Sequence, residues 1–344
     1  MRVALCYSKA GSPKYGLGHI GMGNTCRQNA YSLRNHGIHA EVWPVAGGDA
    51  IEARLLEENT TLSLNPVTHV VIGAPYIPIE WMRRLSQRFP KVIFAVVSHS
   101  NVGFLQAESA AIRLMRGSSD LAIEEFNFHC AANSHRLVED FQAAYGRAIT
   151  HLPNMYDLSA TKPPTPRIYH GGVVRIGSFG ALRVQKNFTC AAWAAMAIAR
   201  HLRAPLEFWI NTGRDDNNGK VVYNAIRAAT DNVPGVELKE LAWTAPIDFR
   251  KVAHTMHLLI QPSYSETFSM VTADAVVEGT PVVVSEAIDW VPDYWVAEVD
   301  SVQDIADVGC RLISNGHAAH DGYQSLQKHN ASALRTWMEF LQCR

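Results

Sequence analysis

The sequence predicts an α/β protein made of two doubly wound parallel sheets, and three features predict it. Its strand-like segments are short and apolar on both faces, and helical periodicities fall between them. A Pro- and Gly-rich stretch then divides the chain into halves that follow the same plan. Strands that are apolar throughout and joined through helices belong in a parallel sheet covered on both faces.

In the first half, "RVALCYS" (2–8) is a strand, and residues 24–36 fit a helix stopped by Gly37 in the C′ position. "IHAEVWPV" (38–45), "THVVIGA" (68–74) and "KVIFAVVS" (91–98) follow as strands, with helical patterns between them. "AAIRLMR" belongs to a helix, "FNFHCAANS" (126–134) to a strand and loop, and "SHRLVEDFQAAYG" to another helix. Residues 1–155 therefore form a first domain. "YDLSATKPPTPRIYHGG" (156–172) has the composition of an interdomain linker. The second domain, 173–321, starts with strand "VVRIGSF" (173–179) and a helix at 187–203. Strands "LEFWIN" (206–211), "GVELKEL" (235–241), "MHLLIQP" (256–262) and "TPVVVS" (280–285) follow, and a closing helix occupies 322–344. Two such sheets are expected to face a cleft, with ligands at the carboxyl ends of the strands.

Bulk properties narrow the function. A chain of 344 residues exceeds one ordinary core. Hydrophobic residues at 47% and charged residues at 18% describe a globular, water-soluble chain. A net charge of −1 gives no electrostatic footprint for nucleic acid or anionic membrane. The six cysteines are scattered without C-x-x-C spacing, as in a reduced, cytoplasmic protein. No apolar run approaches the ~20 residues of a membrane span, and the opening apolar run is too short for a signal peptide.

"GLGHIG" (16–21) is a literal G-x-G-x-x-G, but its context does not suit a dinucleotide. That fingerprint follows its strand almost at once, whereas here the strand ends near Ser8 and the first glycine is Gly16. The acid expected at the end of the second strand would be Glu41, which lies early in it. Two readings stay open. Gly16, Gly18, Gly21 and Gly23 let backbone approach a ligand whose anion the following helix start receives, or they form a plain glycine loop.

The most informative stretch is "PSYSETFSMVTADAVVEGTPVVV" (262–284). Glu266 lies in a polar loop, and Asp274 interrupts an apolar run eight residues later. Eight residues of helix would span ~12 Å. That is too far for carboxylates sharing a proton and suits gripping two ends of an elongated ligand. Asp274 reads equally as a solvent-facing residue of an amphipathic helix starting near Ser269, and Glu278 as a surface residue beside Gly279.

This stretch resembles the E-x7-E motif of GT-B-fold glycosyltransferases, in particular retaining family four, with Pro262, Ser263, Glu266, Phe268, Ala275, Gly279, Pro281 and Val282 in register. "IGSFGALRVQKN" (176–187) is similar to the family's glycine–lysine loop, and "CAANSHRLVEDF…LPNMYD" (130–157) to its "NS…pNgvD" connection. The resemblance covers roughly residues 1–300. It implies two Rossmann-like domains, an acceptor-side one first and a nucleotide-sugar-binding one second. It also implies Glu266 toward the donor sugar, Asp274 toward the ribose hydroxyls, and helix-start amides near Thr267, Phe268 and Ser269 toward the diphosphate. This sequence departs in having Asp at the second acid and "TFS" where the family has "GFG".

By the same resemblance, the loop after Gly180 carries the cations. Lys186 stands at the family lysine, six residues after Gly180. The family's arginine is Ala181 here, with Arg183 the substitute. A solvated basic loop is the bland alternative. His99, just after a buried strand, stands where several members place a histidine against the donor sugar. Thr212 in "NTGR" and Trp243 in "ELAWTA" fall in the loops that would hold the base, although Trp243 could equally be core.

The expectation is a retaining, metal-independent hexosyl- or pentosyltransferase with no cofactor beyond its nucleoside diphosphate sugar donor. Glu266, His99, Arg183 and Lys186 would be its catalytic groups. Gly18, Gly21, Gly180, Thr212, Trp243, Thr267, Phe268, Ser269 and Asp274 would bind the donor. The acceptor is a glycan, lipid, small molecule or modified DNA base. The rivals are a nucleotide-sugar epimerase or hydrolase of the same fold and a non-catalytic nucleotide-sugar binding protein. Substituting Glu266 or His99 is expected to cost turnover rather than nucleoside diphosphate affinity.

Overall fold

The structure is a computed structural model that describes residues 1–8, 20–59, 64–73, 77–106, 108–165, 168–214 and 218–342. It divides into two units, Met1–Ala160 with His329–Arg344, and Thr161–Lys328. One division falls inside the stretch read as a linker. The other falls inside the last helix, so the end of that helix counts with the first unit rather than forming a separate closing element.

The first unit runs β1 (Arg2–Ser8), α1 (Ile20–Asn35), β2 (His39–Val45), α2 (Gly48–Glu58), β3 (His69–Gly73) and α3 (Ile79–Arg88). It continues with β4 (Ile93–Ser98), α4 (Val102–Leu105), α5 (Ser109–Glu124), β5 (Phe128–Ala132), α6 (His135–Tyr145) and β6 (Thr150–His151). The six strands are parallel in the order β2-β1-β3-β4-β5-β6. Every residue of β3 and β4 is buried, which is why those strands carry no polar–apolar alternation. Gly37 takes φ 78°, and Ile38 N–H bonds back to Leu33 O at 3.1 Å, so it ends α1 as expected. The start of α1 differs. It begins at Ile20, not at 24, so Gly21 and Gly23 lie inside its first turn. A Cβ at Gly23 would come within 2.9 Å of the Tyr7 ring, so this glycine serves close helix–strand packing.

The second unit runs β7 (Val174–Ser178), α7 (Phe188–Leu202), β8 (Leu206–Asn211), α8 (Gly219–Thr230), β9 (Val236–Leu241) and α9 (Pro246–Thr255). Then come β10 (Leu258–Gln261), α10 (Met270–Val277), β11 (Val282–Val284), α11 (Val302–Ser314) and α12 (Ala318–Gln342). Its strands are parallel in the order β11-β10-β7-β8-β9. The two doubly wound α/β sheets match the predicted class, and the strands sit within a residue or two of their apolar segments. Helices α8, α9 and α11 and the two-residue strand β6 are additions that the sequence pattern does not single out. Glu41 is engaged by Arg2 (Nε at 2.7 Å) and by the Trp43 indole N–H (3.1 Å), a structural role unlike that of a ribose ligand. Among the described residues no helix is long and apolar enough to cross a membrane.

The end of α12 is clamped onto the first unit by paired polar contacts. Asn330 donates to Tyr156 O at 2.7 Å and accepts from Tyr156 N–H at 3.0 Å, while the Trp337 indole N–H reaches Pro153 O at 2.8 Å. Trp337 and Phe340 pack with Val3, Leu5, Leu33, Ala95 and Val97 on one face of the first sheet. Phe340 also meets the edges of His69 and His129, with ring centroids 5.5 and 5.3 Å away. Burial, followed by repulsion from His129 and the N-terminal amine, lowers His69 to about 4. Burial alone lowers His129.

Both imidazoles are therefore neutral in the folded chain near pH 7. Once unfolded they take up protons below about pH 6.5, so the unfolded state binds more protons and stability falls as pH drops through that value toward about 4. Lowering pH from 7 to 5 should cost about 1–2 kcal/mol through His69. Guanidinium unfolding of the parent and His69→Leu at both pH values checks this, the variant showing the flatter pH dependence.

Candidate functional site

All five strands of the second sheet end at one edge, and the loops leaving that edge are stitched to one another. Asn211, the last residue of β8, accepts the Gly180 N–H at 2.9 Å, and Leu182 N–H donates to Arg214 O at 3.1 Å. Thr212 N–H donates to Leu241 O at the end of β9 at 2.8 Å, and Tyr264 N–H donates to Gln185 O at 2.9 Å. These bonds tie the β7 loop to the loops after β8 and β10, and the β8 loop to β9. Gly180 takes φ 120°, and among the described residues nothing lies within 4 Å of where a Cβ would stand. Glycine is needed here for its backbone conformation, not for packing.

Two sequence-predicted residues meet on this rim. The Lys186 ammonium, at the end of a 3-10 turn (Val184–Lys186), forms an ion pair with the Glu266 carboxylate. Their side chains are only 18% and 14% exposed. Charges held this far from water interact more strongly than on an open surface. Arg183 precedes the turn and is half-buried, its carbonyl accepting the Lys186 N–H at 3.1 Å. Ala181 is buried at 7% exposure, so the family's arginine position is filled by core here.

Helix α10 begins where expected. Ser269 is its N-cap, and its hydroxyl oxygen accepts the Thr272 N–H at 3.3 Å and the Thr272 hydroxyl at 2.9 Å. Ser269 has φ 63°, a conformation that costs a residue with a Cβ about 1 kcal/mol or more. The resembled motif has glycine at this position. Phe268 is 2% exposed and stacks on Trp290 at 5.4 Å, while the Trp290 indole N–H donates to the Phe268 carbonyl at 2.6 Å. Its ring is therefore core, and its carbonyl is engaged there too. Thr267 is half-buried. Asp274 is 5% exposed, which corrects the solvent-facing reading of this acid. Glu278 is not a plain surface residue either: it pairs with Arg250 at 2.7 Å and joins α9 to the end of α10.

On the loops read as the base pocket, Trp243 is half-buried with the Arg214 guanidinium 5.4 Å over its ring, so one indole face is already covered. Among the described residues, the buried Trp243 indole N–H has no hydrogen-bond partner, nor has the Thr244 hydroxyl. The Gln261 amide nitrogen and the Ser263 and Ser265 hydroxyls, in and after the end of β10, are in the same state. Buried polar groups of this kind call for a ligand or water. The motif pattern in the sequence passes over Asn211, Gln261 and Ser265 as side chains and gives Ser263 no role, and the available signal is that each stands at or just after a strand's carboxyl end.

In the first unit, His99 follows the end of β4 and is half-buried. Burial lowers it to about 4, so at neutral pH it is a neutral imidazole suited to hydrogen bonding, not a general acid. Gly21 lies in α1, and among the described residues nothing lies within 4 Å of a Cβ there. Gly16 and Gly18 lie outside the described residues. Among the described residues, no three His, Cys, Asp or Glu side chains are grouped to hold a metal ion.

Residues 130–288 match the model of a family described as Family 4 Glycosyltransferase in conflict systems, a match spanning a little under half of the 344 residues. The matched segment takes in Lys186, Glu266 and Asp274. Sucrose-phosphate synthase from Thermosynechococcus elongatus is similar in fold, with a TM-score of 0.67 at 15% identity over 99% of this chain and 98% of that one. So is HepE of Anabaena in complex with UDP-glucose, with a TM-score of 0.64 at 16% identity over 98% and 100% of the two chains. TarM of S. aureus, in complex with UDP among other ligands, gives a TM-score of 0.59 at 14% identity over 79% of this chain. The present chain spans only 55% of the TarM chain's length. No curated protein matches the sequence. The fold is thus that of its GT-B neighbours, and residues 130–288 are similar to the model of a family-four glycosyltransferase, as the resemblance implied.

Gly180→Ala should destabilise the chain by about 1–2 kcal/mol through backbone strain, because no described residue crowds a Cβ there. Chemical denaturation checks this.

Proposed function

We propose that the chain is a retaining glycosyltransferase that moves a sugar from a nucleoside diphosphate sugar to an acceptor hydroxyl. The observation that carries this reading is the meeting of Lys186 and Glu266 at the carboxyl ends of the second sheet, beside the α10 start. Both lie in the segment that matches a glycosyltransferase family. In the proposed step, the bond between the sugar's anomeric carbon and the phosphate oxygen breaks, and the electron pair leaves with the nucleoside diphosphate. Lys186, Arg183 and the α10 amides stabilise that developing charge. The acceptor oxygen forms the new bond from the same face, and its proton passes to the departing phosphate oxygen.

Glu266 would stand toward the positive charge that grows on the sugar, and Asp274 toward the ribose. Thr212, Arg214 and Trp243 would hold the base. His99, neutral near pH 7, would donate or accept a hydrogen bond with the sugar. No metal is assigned a step. The buried polar groups at Gln261, Ser263, Ser265, Trp243 and Thr244, without partners among the described residues, support a polar ligand on this edge.

Thermal-shift screening against UDP, GDP, ADP and dTDP sugars, then mass spectrometry with glycan, lipid, small-molecule and modified-base DNA acceptors, tests the reading. Sugar appearing on an acceptor supports it. Product without acceptor indicates an epimerase or hydrolase, and binding without turnover indicates a binding protein.

Lys186→Ala and Arg183→Ala should each weaken nucleoside diphosphate binding by about 1–3 kcal/mol, read by calorimetry. Asp274→Asn should abolish the preference for a ribose over a 2′,3′-dideoxyribose donor. A variant that keeps the parent's discrimination would show that another group holds the ribose.

A further inference from the structure

Three groups that a diphosphate would call on are already engaged within the rim, and their significance rests on the donor-site reading. The Lys186 ammonium is held by the Glu266 carboxylate. The Thr272 N–H, in the first turn of α10, is held by the Ser269 hydroxyl at 3.3 Å. The Gly180 N–H is held by Asn211 Oδ1 at 2.9 Å. In each case the partner is an oxygen, and in one it is anionic. The chain's own oxygens thus hold donors that a phosphate would otherwise take up.

We infer that Glu266 and Ser269 are internal stand-ins for the donor's phosphates, so that donor entry proceeds by exchange. A diphosphate drawn to Lys186 meets the repulsion of the Glu266 carboxylate, so the ammonium must be transferred from one anion to the other. At the α10 start, a phosphate oxygen competes with Ser269 for the Thr272 amide. The exchange links binding to chemistry. Once Lys186 turns to the phosphate, the Glu266 charge loses this counter-ion just when positive charge develops on the sugar. Without the donor, that carboxylate stays neutralised. Sequence position alone suggests that Glu266 affects turnover and leaves diphosphate affinity alone. The ion pair makes it a negative determinant of that affinity as well.

The test is calorimetry with UDP, GDP, ADP and inorganic pyrophosphate on the parent, Glu266→Gln, Ser269→Gly, Lys186→Met and the Lys186→Met/Glu266→Gln double variant, with thermal melts of the same preparations. Glu266→Gln should bind its nucleoside diphosphate and pyrophosphate about tenfold more tightly than the parent, while losing turnover. That gain should vanish when Lys186 is absent. Ser269→Gly should also bind more tightly, and it decides the matter if Glu266→Gln fails to fold. Equal or weaker binding in both variants overturns the inference, as does a Glu266→Gln gain that persists without Lys186. In either case a parent that binds nucleoside diphosphate leaves the donor-site reading standing. If no probe binds the parent or any variant, the donor-site reading falls, and the inference with it.

Discussion

The ion pair between Lys186 and Glu266 joins two loops eighty residues apart in sequence, and the rest of the site is arranged around it. A partly buried pair is costly to break from one side, because the remaining charge keeps its desolvation cost without its compensation. The loop after β7 and the loop before α10 are therefore held together even without ligand. The Tyr264–Gln185 backbone bond, at 2.9 Å, repeats the same connection a few residues away. Chemistry that needs a cation and a carboxylate at one place begins here with both in place.

That pair can exist only because the sheet is parallel. Parallel strands send every outgoing loop to the same edge, where loops distant in sequence become neighbours. The order β11-β10-β7-β8-β9 puts the strand carrying Glu266's loop directly beside the one carrying Lys186's. Asn211 adds a side-chain brace from the next strand over. The rim is thus positioned by main-chain geometry, and side chains contribute the charges.

Ser269 shows how a departure from a resembled motif acquires physical meaning. Its backbone sits at positive φ, where glycine would be unstrained, yet its hydroxyl caps α10 in return. Strain and cap partly offset each other, and the helix start is no longer bare. Burial works similarly on His99, lowering its protonation point until it is a neutral hydrogen-bonding group near pH 7. In both cases the residue type is ordinary, and its surroundings decide what it can do.

Uniformly apolar strands and a glycine-stopped helix are local signals, so the two-sheet α/β plan, the strand positions and the importance of the 262–284 stretch were all legible in the chain before folding. Lys186, Arg183, Glu266 and Asp274 stood out as candidates from motif spacing. Less visible were the early start of α1, whose Gly21 and Gly23 read as loop residues, and the membership of the α12 end in the first unit. Those depend on what packs against them: Tyr7 beside Gly23, and Tyr156 against Asn330. It took the folded chain to establish that Phe268 faces Trp290, that Asp274 is buried, that Asn211 braces Gly180 and that Lys186 is neutralised by Glu266. Each of these joins residues distant in sequence or turns on what surrounds a side chain. Local periodicity reports which face of an element is apolar, and it carries no information about which distant partner will meet that face.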